Sequence, residues 1–247
     1  MNLPNDPFRG TIQLPVRAFD VNYKACKHLK PAPGIVYVEM APYEEKRGAL
    51  FLADETQQRE RADAGVVLAC GLEREKKEDV QPWREMDIRP GDRVLVEPYR
   101  GTWLKGAKFG DYEAKGWVRV YGLASGNWDE YHPTDWRSAI LATYDETKEN
   151  SIRATGKWLF IERDKIEESA GGVILTERSQ KQSGLATIIS VGSSAYKAGY
   201  REGMRIQFPP GLTFDAGLYE VSHAKEFGLD SENCAFLDFR NVLAVID

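Results

Sequence analysis

The chain has 247 residues, of which 42% are hydrophobic and 29% are charged. This is an ordinary composition for a globular protein, with enough apolar material for one large or two ordinary domains. The formal net charge of −5 argues against a general nucleic-acid-binding protein, which is usually basic. No apolar run approaches the roughly 18 residues of a membrane-spanning helix. We therefore expect neither nucleic acid nor a membrane among the partners.

The N-terminus and the cysteines favour a cytoplasmic protein. The first six residues, MNLPND, have neither the charged region nor the apolar stretch of a secretion signal. The three cysteines, Cys26, Cys70 and Cys234, are widely separated and form no CxxC pair. The sequence therefore predicts neither a disulfide framework nor a zinc site, and it implies no cofactor.

Residues 1–33 are rich in proline and have no regular periodicity. We interpret them as an extended N-terminal arm with a short strand near Thr11 to Val16. A loosely packed tail is the simpler interpretation of this arm, and a clamp on a neighbouring subunit is the alternative.

The next segment alternates between strands and a polar loop. Residues 34–39 (GIVYVE) and 64–71 (AGVVLACG) are rich in β-branched residues and predict two strands. Between them, two polar runs flank an apolar triplet formed by Leu50, Phe51 and Leu52. This pattern predicts a strand, a long loop with an apolar tip, and a returning strand.

The same pattern occurs again later in the chain. Residues 157–162 (KWLFIE) predict a strand, and residues 185–191 (LATIISV) predict its return, which ends at Gly192. The loop between them is polar and contains few apolar residues, as in segments that do not fold by themselves. Its apolar tip follows two adjacent glycines, and the tip residues are Gly171, Gly172, Val173, Ile174 and Leu175.

A nearly constant spacing relates the two segments. The offset is 123 for Glu39 and Glu162 and for Leu52 and Leu175, 121 for Gly71 and Gly192, 112 for Gly91 and Gly203, and 102 for Leu141 and Leu243. An internal duplication with insertions in the first copy explains these offsets. We divide the chain into an arm (1–33), a first copy with insertions (34–146), a linker (147–154) and a second copy (155–247).

The remaining segments predict further strands. Residues 88–96 contain a Pro-Gly turn that leads into a strand, and residues 98–133 predict two or three strands with glycine-rich turns. Residues 134–142 close the first copy as residues 236–245 close the second. The charged run 72–86 is predicted as a solvated loop, which is much shorter in the second copy (193–199). The predicted fold class is therefore all-β.

No catalytic constellation emerges from the sequence. The three histidines are far from one another and from any cysteine pair, and paired glutamates lie in polar runs where a solvated face is expected. The glycines before Trp117 do not have phosphate-loop spacing. The sequence therefore does not predict an enzyme. These histidines, glutamates and glycines are His28, His132, His223, Glu44, Glu45, Glu167, Glu168, Gly106, Gly110 and Gly116.

Residues 169–176 (SAGGVILT) resemble the mobile loop of the GroES-type co-chaperonins. The resemblance continues through residues 188–192, 201–206 and 241–246, and covers roughly residues 152–247. It implies two tandem GroES-like, partly open β-barrels. In that family the aliphatic triplet, here Val173 to Leu175, docks on the apical domains of the chaperonin ring.

The resemblance implies a non-enzymatic co-chaperonin. Such a protein would bind a nucleotide-bound, GroEL-type chaperonin ring through its mobile loops, self-associate into a ring and cap the folding chamber. Leu50, Phe51 and Leu52 would form a possible second binding loop. That loop departs from the family because Gly48 and Ala49 replace the double glycine and Phe51 is bulky, so it either binds a different groove or packs within the fold.

One alternative to the co-chaperonin interpretation stays open, and another is disfavoured. The family's rings are sevenfold, and two barrels per chain do not divide into seven, although double-barrel co-chaperonins exist in chloroplasts. Three chains would give six barrels, which suits a GroES-like fold reused as a shell, virion or capsid-associated component. The GroES-like domain of alcohol dehydrogenases fits poorly, since the sequence has no dinucleotide-binding half and no zinc-ligand cluster.

Overall fold

The architecture is taken from a computed structural model of the chain. It describes residues 11–12, 19–32, 34–41, 46–47, 50–51, 63–71, 87–98, 100–122, 139–145, 148, 151–164, 169–170, 173–174, 184–213, 216–221 and 233–246.

The chain forms two compact units. The first unit is residues 13–145, and the second unit combines residues 1–12 with residues 146–247. The predicted division into an arm, two copies and a linker is finer than this partition and stays a prediction.

Nearly all of the described secondary structure is β. The strands, numbered in chain order, are β1 (Thr11–Ile12), β2 (Val36–Met40), β3 (Lys46–Arg47), β4 (Leu50–Phe51), β5 (Ala64–Cys70), β6 (Arg93–Val96), β7 (Thr102–Lys105), β8 (Lys108–Phe109), β9 (Tyr112–Glu113), β10 (Trp117–Tyr121), β11 (Ile140–Tyr144), β12 (Arg153–Ala154), β13 (Trp158–Arg163), β14 (Ser169–Ala170), β15 (Val173–Ile174), β16 (Leu185–Val191), β17 (Arg205–Gln207), β18 (Leu218–Val221), β19 (Cys234–Asp238) and β20 (Ala244–Ile246). One short helix, α1 (Ser193–Lys197), and the 3₁₀ turns Tyr23–Cys26 and Phe239–Asn241 complete the description.

The two units have the same sheet topology. In the first unit the strands follow the spatial order β11-β6-β5-β2-β10-β7, and in the second unit the order is β20-β17-β16-β13-β19-β18, with β1 added beside β18. If the six main strands of each unit are numbered along the chain, both orders are 6-3-2-1-5-4. The pairings among these strands are antiparallel, whereas β1 pairs with β18 in parallel.

A β-bulge occurs at the same place in both sheets. The register of β2 against β5 shifts between Tyr37 and Val38, and that of β13 against β16 shifts between Phe160 and Ile161. Both pairs of residues are 123 positions apart. A bulge increases the local twist of a sheet and bends the strand, so the two sheets bend at equivalent positions.

The connection from β19 to β20 requires the second sheet to curl. Three strands separate these two in the sheet, which places them at least roughly 19 Å apart if the sheet were flat. The link is only five residues long, and three of them form the 3₁₀ turn Phe239–Asn241. Such a link spans about 16 Å at most. The sheet therefore curves towards a barrel, and within the described residues neither sheet closes on itself. The predicted partly open, β-rich fold is confirmed.

The sheet of the first unit is buried on both faces except at its edge strand β7, which is mostly exposed. Every residue of β5 except Cys70 is buried, whereas buried and partly exposed residues alternate along β16 in the second unit. One face of the first sheet packs in a cluster centred on Val38, Val67 and Val94. The other face packs against Cys26 and against Tyr112, which lies in the hairpin β8–β9.

Residues 19–32 are part of this second packed layer, in contrast to the loosely packed tail expected for the arm. Phe19 and Cys26 are buried, and Val21, Tyr23 and Leu29 pack against the same cluster. The apolar side chains of this segment are spaced irregularly between lysines and asparagine, so periodicity did not indicate burial.

Two local features differ from the expected strands and loops. Residues 193–197, expected as a short loop, form α1, and residues 102–121 form four strands rather than two or three. The turns at Gly106 and Gly110 have φ of 61° and 64°, a region that glycine occupies without strain. Across the described residues, no helix is both long enough and apolar enough to span a membrane.

Candidate functional site

Both predicted loop tips form the same miniature hairpin. In the first unit Lys46 pairs with Phe51 and Arg47 with Leu50, and in the second unit Ser169 pairs with Ile174 and Ala170 with Val173. Each residue of the first hairpin lies 123 positions before its counterpart. The duplicated pattern in the sequence therefore corresponds to a duplicated backbone structure.

The sequence between the hairpin strands suits a tight connection. Two residues separate β3 from β4 and β14 from β15, namely Gly48-Ala49 and Gly171-Gly172. Two-residue hairpin loops favour glycine because their turns require positive φ. Gly171, Gly172, Leu52 and Leu175 lie outside the described residues, and only backbone pairing is described for Leu50, Phe51, Val173 and Ile174. The assignment of both tips as binding sites stays a prediction.

The base of each loop is closed by an equivalent hydrogen bond. The backbone amide of Ala41 donates to the carbonyl of Ala64 at 2.8 Å, and that of Asp164 donates to the carbonyl of Leu185 at 3.0 Å. In both units the hairpin begins five residues after the residue that donates this hydrogen bond, Ala41 or Asp164. Each tip is therefore presented at the same distance along the chain from a closed base.

A buried arginine, Arg119, contacts the base of the loop in the first unit. The Arg119 side chain is 1% exposed, and its guanidinium lies 3.8 Å from the centre of the Trp103 ring. One terminal nitrogen donates to the carbonyl of Glu97 at 3.0 Å, and the other lies 3.9 Å from a carboxylate oxygen of Asp63. Because Asp63 directly precedes β5, this arginine holds the point where the loop returns to the sheet.

The loop base of the second unit has more exposed ion pairs. Arg205 forms an ion pair with Asp164, the residue that directly follows β13 and begins the loop. Both side chains are partly exposed. Directly before Asp164, at the end of β13, Arg163 binds Glu220 at 2.9 Å. A solvent-exposed pair such as Arg205–Asp164 contributes little stability, whereas the Arg163 side chain of the second pair is only 8% exposed.

Glu39 and Glu162 occupy equivalent positions in different surroundings. Glu39 is buried, and its carboxylate accepts hydrogen bonds from the Tyr112 hydroxyl and from the amides of Lys115 and Gly116. Glu162 is exposed. Burial, together with the hydrogen bond to Glu39, raises the pKa of Tyr112, so this tyrosine stays protonated. The segment between β7 and β10 supplies these donors, so Glu39 is a buried anchor whereas its equivalent is a surface glutamate.

The C-terminal strand is an exposed apolar edge. Leu243, Val245 and Ile246 are 65%, 49% and 37% exposed. β20 pairs with β17 on one side and is the last strand of the second unit's sheet. Unpaired edges with apolar side chains are templates for pairing with another chain. The sequence predicted this strand, but not its exposure, because a run of apolar residues usually indicates burial.

The residues set aside during sequence analysis do not form another site in the described part of the chain. His28 is exposed, and His132 and His223 lie outside the described residues. No group of three or more potential metal ligands occurs among the residues that the structure covers.

Comparison with known proteins identifies the family. The sequence model of the family described as "Chaperonin 10 Kd subunit" matches residues 151–246. A protein named Co-chaperonin GroES 2, from Vibrio parahaemolyticus, is 31% identical over 98 residues, which are 39% of this chain and 98% of that protein. This chain belongs to the chaperonin 10 kDa family. Another relative, Co-chaperonin GroES from Methanosarcina acetivorans, is 27% identical over 105 residues, 42% of this chain and 88% of that protein.

The family match lies entirely in the second unit. Residues 151–246 include β12 to β20 and therefore the hairpin β14–β15, its closed base and the exposed C-terminal edge. The match confirms the resemblance of this half of the chain to the GroES-type proteins. The first unit shares the strand order and the bulge position of the second, but it lies outside the matched residues.

Proposed function

We propose that this protein is a co-chaperonin that binds a chaperonin ring through its loop hairpins and caps the folding chamber. Its relatives are named as GroES-type co-chaperonins, and the family match includes the second loop. The observation that carries the proposal is the loop hairpin, which recurs in both units at the same distance from a hydrogen-bonded base.

The proposed contact with the chaperonin uses the loop tip Gly171 to Leu175. Leu50, Phe51 and Leu52 form a second tip. A polar loop that becomes ordered on binding loses conformational entropy, so each contact is weak by itself. A ring that presents many tips at once compensates through multivalency. The partner is a GroEL-type ring in its nucleotide-bound state, and ATP hydrolysis belongs to that partner rather than to this chain.

Self-association into a ring is the second part of the proposal. The first unit is interpreted as a divergent first copy of the fold, because its strand order equals that of the second unit. The exposed edge of β20 is the surface through which chains pair. Three exposed apolar side chains at this edge, Leu243 directly before β20 and Val245 and Ile246 within it, would each contribute about 1–2 kcal/mol when fully buried by a neighbour.

The experiment is a binding measurement with variants of each tip. We expect Ile174→Asp to abolish binding to a chaperonin ring with ATP, because a charge placed in an apolar groove is not compensated. Gln182→Asp, which adds the same charge elsewhere in the same loop, is the matched control and should bind normally. Phe51→Asp tests the second tip separately. Unchanged binding of Ile174→Asp would refute the assignment of the loop.

A further inference from the structure

The chain turns sharply between β19 and the exposed strand β20, and a buried carboxylate lies at the turn. The side chain of Asp238, the last residue of β19, is 4% exposed. One of its oxygens accepts from the backbone amide of Arg240 at 3.1 Å and from its Nε at 2.9 Å. The other oxygen lies 2.5 Å from an Arg240 terminal nitrogen and 2.7 Å from Nζ of Lys157.

These contacts connect three parts of the second unit. Lys157 directly precedes β13, Asp238 ends β19, and Arg240 lies in the 3₁₀ turn that leads to β20. The backbone strengthens the connection, because the amide of Phe239 donates to the carbonyl of Lys157 at 3.2 Å. A buried carboxylate with two cationic partners and several donors is compensated for its loss of hydration. Removing the carboxylate charge leaves Lys157, which is 12% exposed, without that compensation.

The first unit has no such charge at the equivalent position. Strand pairing aligns Tyr121 with Leu237, so the next residues, Gly122 and Asp238, correspond to each other. A Cβ on Gly122 would lie 2.3 Å from the carbonyl oxygen of Gly34. This position therefore holds a close glycine contact in one unit and an ion cluster in the other.

The lengths of the two connections explain the difference. In the first unit 18 residues, 122–139, join β10 to β11, whereas in the second unit five residues, 239–243, join β19 to β20. A five-residue link that crosses the sheet has little freedom, so the direction in which it leaves β19 determines where β20 lies. The amide of Leu243 then donates to the carbonyl of Gln207 at 2.8 Å and begins the pairing with β17.

We propose that Asp238 is a positioning residue for the C-terminal strand: by binding Lys157 and Arg240 it sets the turn that holds β20 at the edge of the sheet, ready to pair with a second copy of the chain. The pairing part of this proposal rests on the proposed self-association. The positioning of β20 within one chain does not.

The test compares the full chain with Asp238→Asn, which keeps the shape of the side chain and removes its charge. Hydrogen exchange of the C-terminal peptide is measured at a concentration at which the chains are dissociated. Loss of charge-assisted hydrogen bonds should speed exchange of the Leu243 and Ile246 amides by about 10- to 100-fold. Native mass spectrometry over a concentration series should show that the oligomer dissociates at a concentration at least about tenfold higher.

Glu220→Gln is the matched control, since it neutralises the partner of the buried Arg163 in the same unit but lies on β18. It should lower the thermal midpoint without speeding exchange in β20. Arg240→Gln replaces Asp238→Asn if that variant does not fold.

Unchanged exchange at Leu243 and Ile246 in the folded variant would overturn the proposal. So would equal acceleration of these amides by Glu220→Gln, which would indicate general loosening. A wild-type chain that stays monomeric at every concentration would refute the ring, while the exchange measurement would still decide the role of Asp238.

Discussion

Gly71 and Gly192 occupy the same position in the two units. The amide of Gly71 donates to the carbonyl of Ile35 and that of Gly192 to the carbonyl of Trp158, both at 2.9 Å. Each glycine follows the last residue of the returning strand, β5 or β16. The backbone of the preceding segment passes so close that a Cβ on Gly71 would lie 2.2 Å from the carbonyl oxygen of Ala32.

Gly192→Ala tests this close contact. A Cβ on Gly192 would lie 2.5 Å from the carbonyl oxygens of Thr155 and Gly156, so the backbone has to move apart. We expect the free energy of unfolding to fall by about 1–3 kcal/mol, measured by urea denaturation. Gly71→Ala should have a similar effect. Wild-type stability in both variants would show that the two turns are not packed as described.

Glu39→Gln tests the buried anchor of the first unit. The Glu39 carboxylate accepts from two backbone amides, those of Lys115 and Gly116, through the same oxygen. A neutral amide oxygen is a weaker acceptor for these two backbone amides than a carboxylate oxygen, and the amide nitrogen would reverse the hydrogen bond with the Tyr112 hydroxyl, so we expect a loss of about 1–3 kcal/mol of unfolding free energy. Urea denaturation followed by tryptophan fluorescence measures this loss.

Glu162→Gln is the matched control for that variant. Glu162 is the equivalent residue of the second unit but is exposed, so its replacement should change the unfolding free energy by no more than about 0.5 kcal/mol. Equal losses in the two variants would contradict the burial of Glu39.

The strands and the recurring strand-loop-strand pattern could be predicted because both depend on local patterns. The end of the strand at Gly192 and the offset of 123 between the loop tips are visible in the residues themselves. The surroundings of Glu39 were not predictable in this way. Glu39 and Glu162 have the same residue type and the same place in the strand pattern, and Glu39 differs by its contacts with Tyr112 and with the amides of Lys115 and Gly116.

Elements with weak local signals were missed. Helix α1 is five residues long, and its N-cap, Gly192, has no capping side chain, so neither an apolar period nor a cap indicated it. The role of Asp238 was also invisible, because its partner Lys157 lies 81 positions earlier. The loop tips are the opposite case, since their binding role was inferred from the resemblance alone.

The acid dependence of stability tests the charge state of Asp238. Burial alone would raise the pKa of this carboxyl, but hydrogen bonds from Arg240 and Lys157 outweigh burial and lower the pKa. A lowered pKa in the folded state stabilises the fold at pH values above the unfolded pKa of about 4. This contribution is lost as the pH falls below that value and through the folded pKa.

The comparison between wild type and Asp238→Asn isolates this contribution. Their difference in unfolding free energy should be about 1.5–3 kcal/mol and constant from pH 7 to about pH 5. It should shrink as the pH falls below about 4. Urea denaturation at pH 7, 5 and 3 measures it, and a difference that grows on acidification would mean that Asp238 is not charged in the folded protein.

Native mass spectrometry of the purified protein, alone and with a chaperonin ring plus ATP, tests the co-chaperonin function most directly. We expect a complex that requires nucleotide, contains several copies of this chain and is lost with Ile174→Asp but retained with Gln182→Asp. A stable oligomer that ignores both chaperonin and nucleotide would contradict it and would favour a structural assembly built from the same fold.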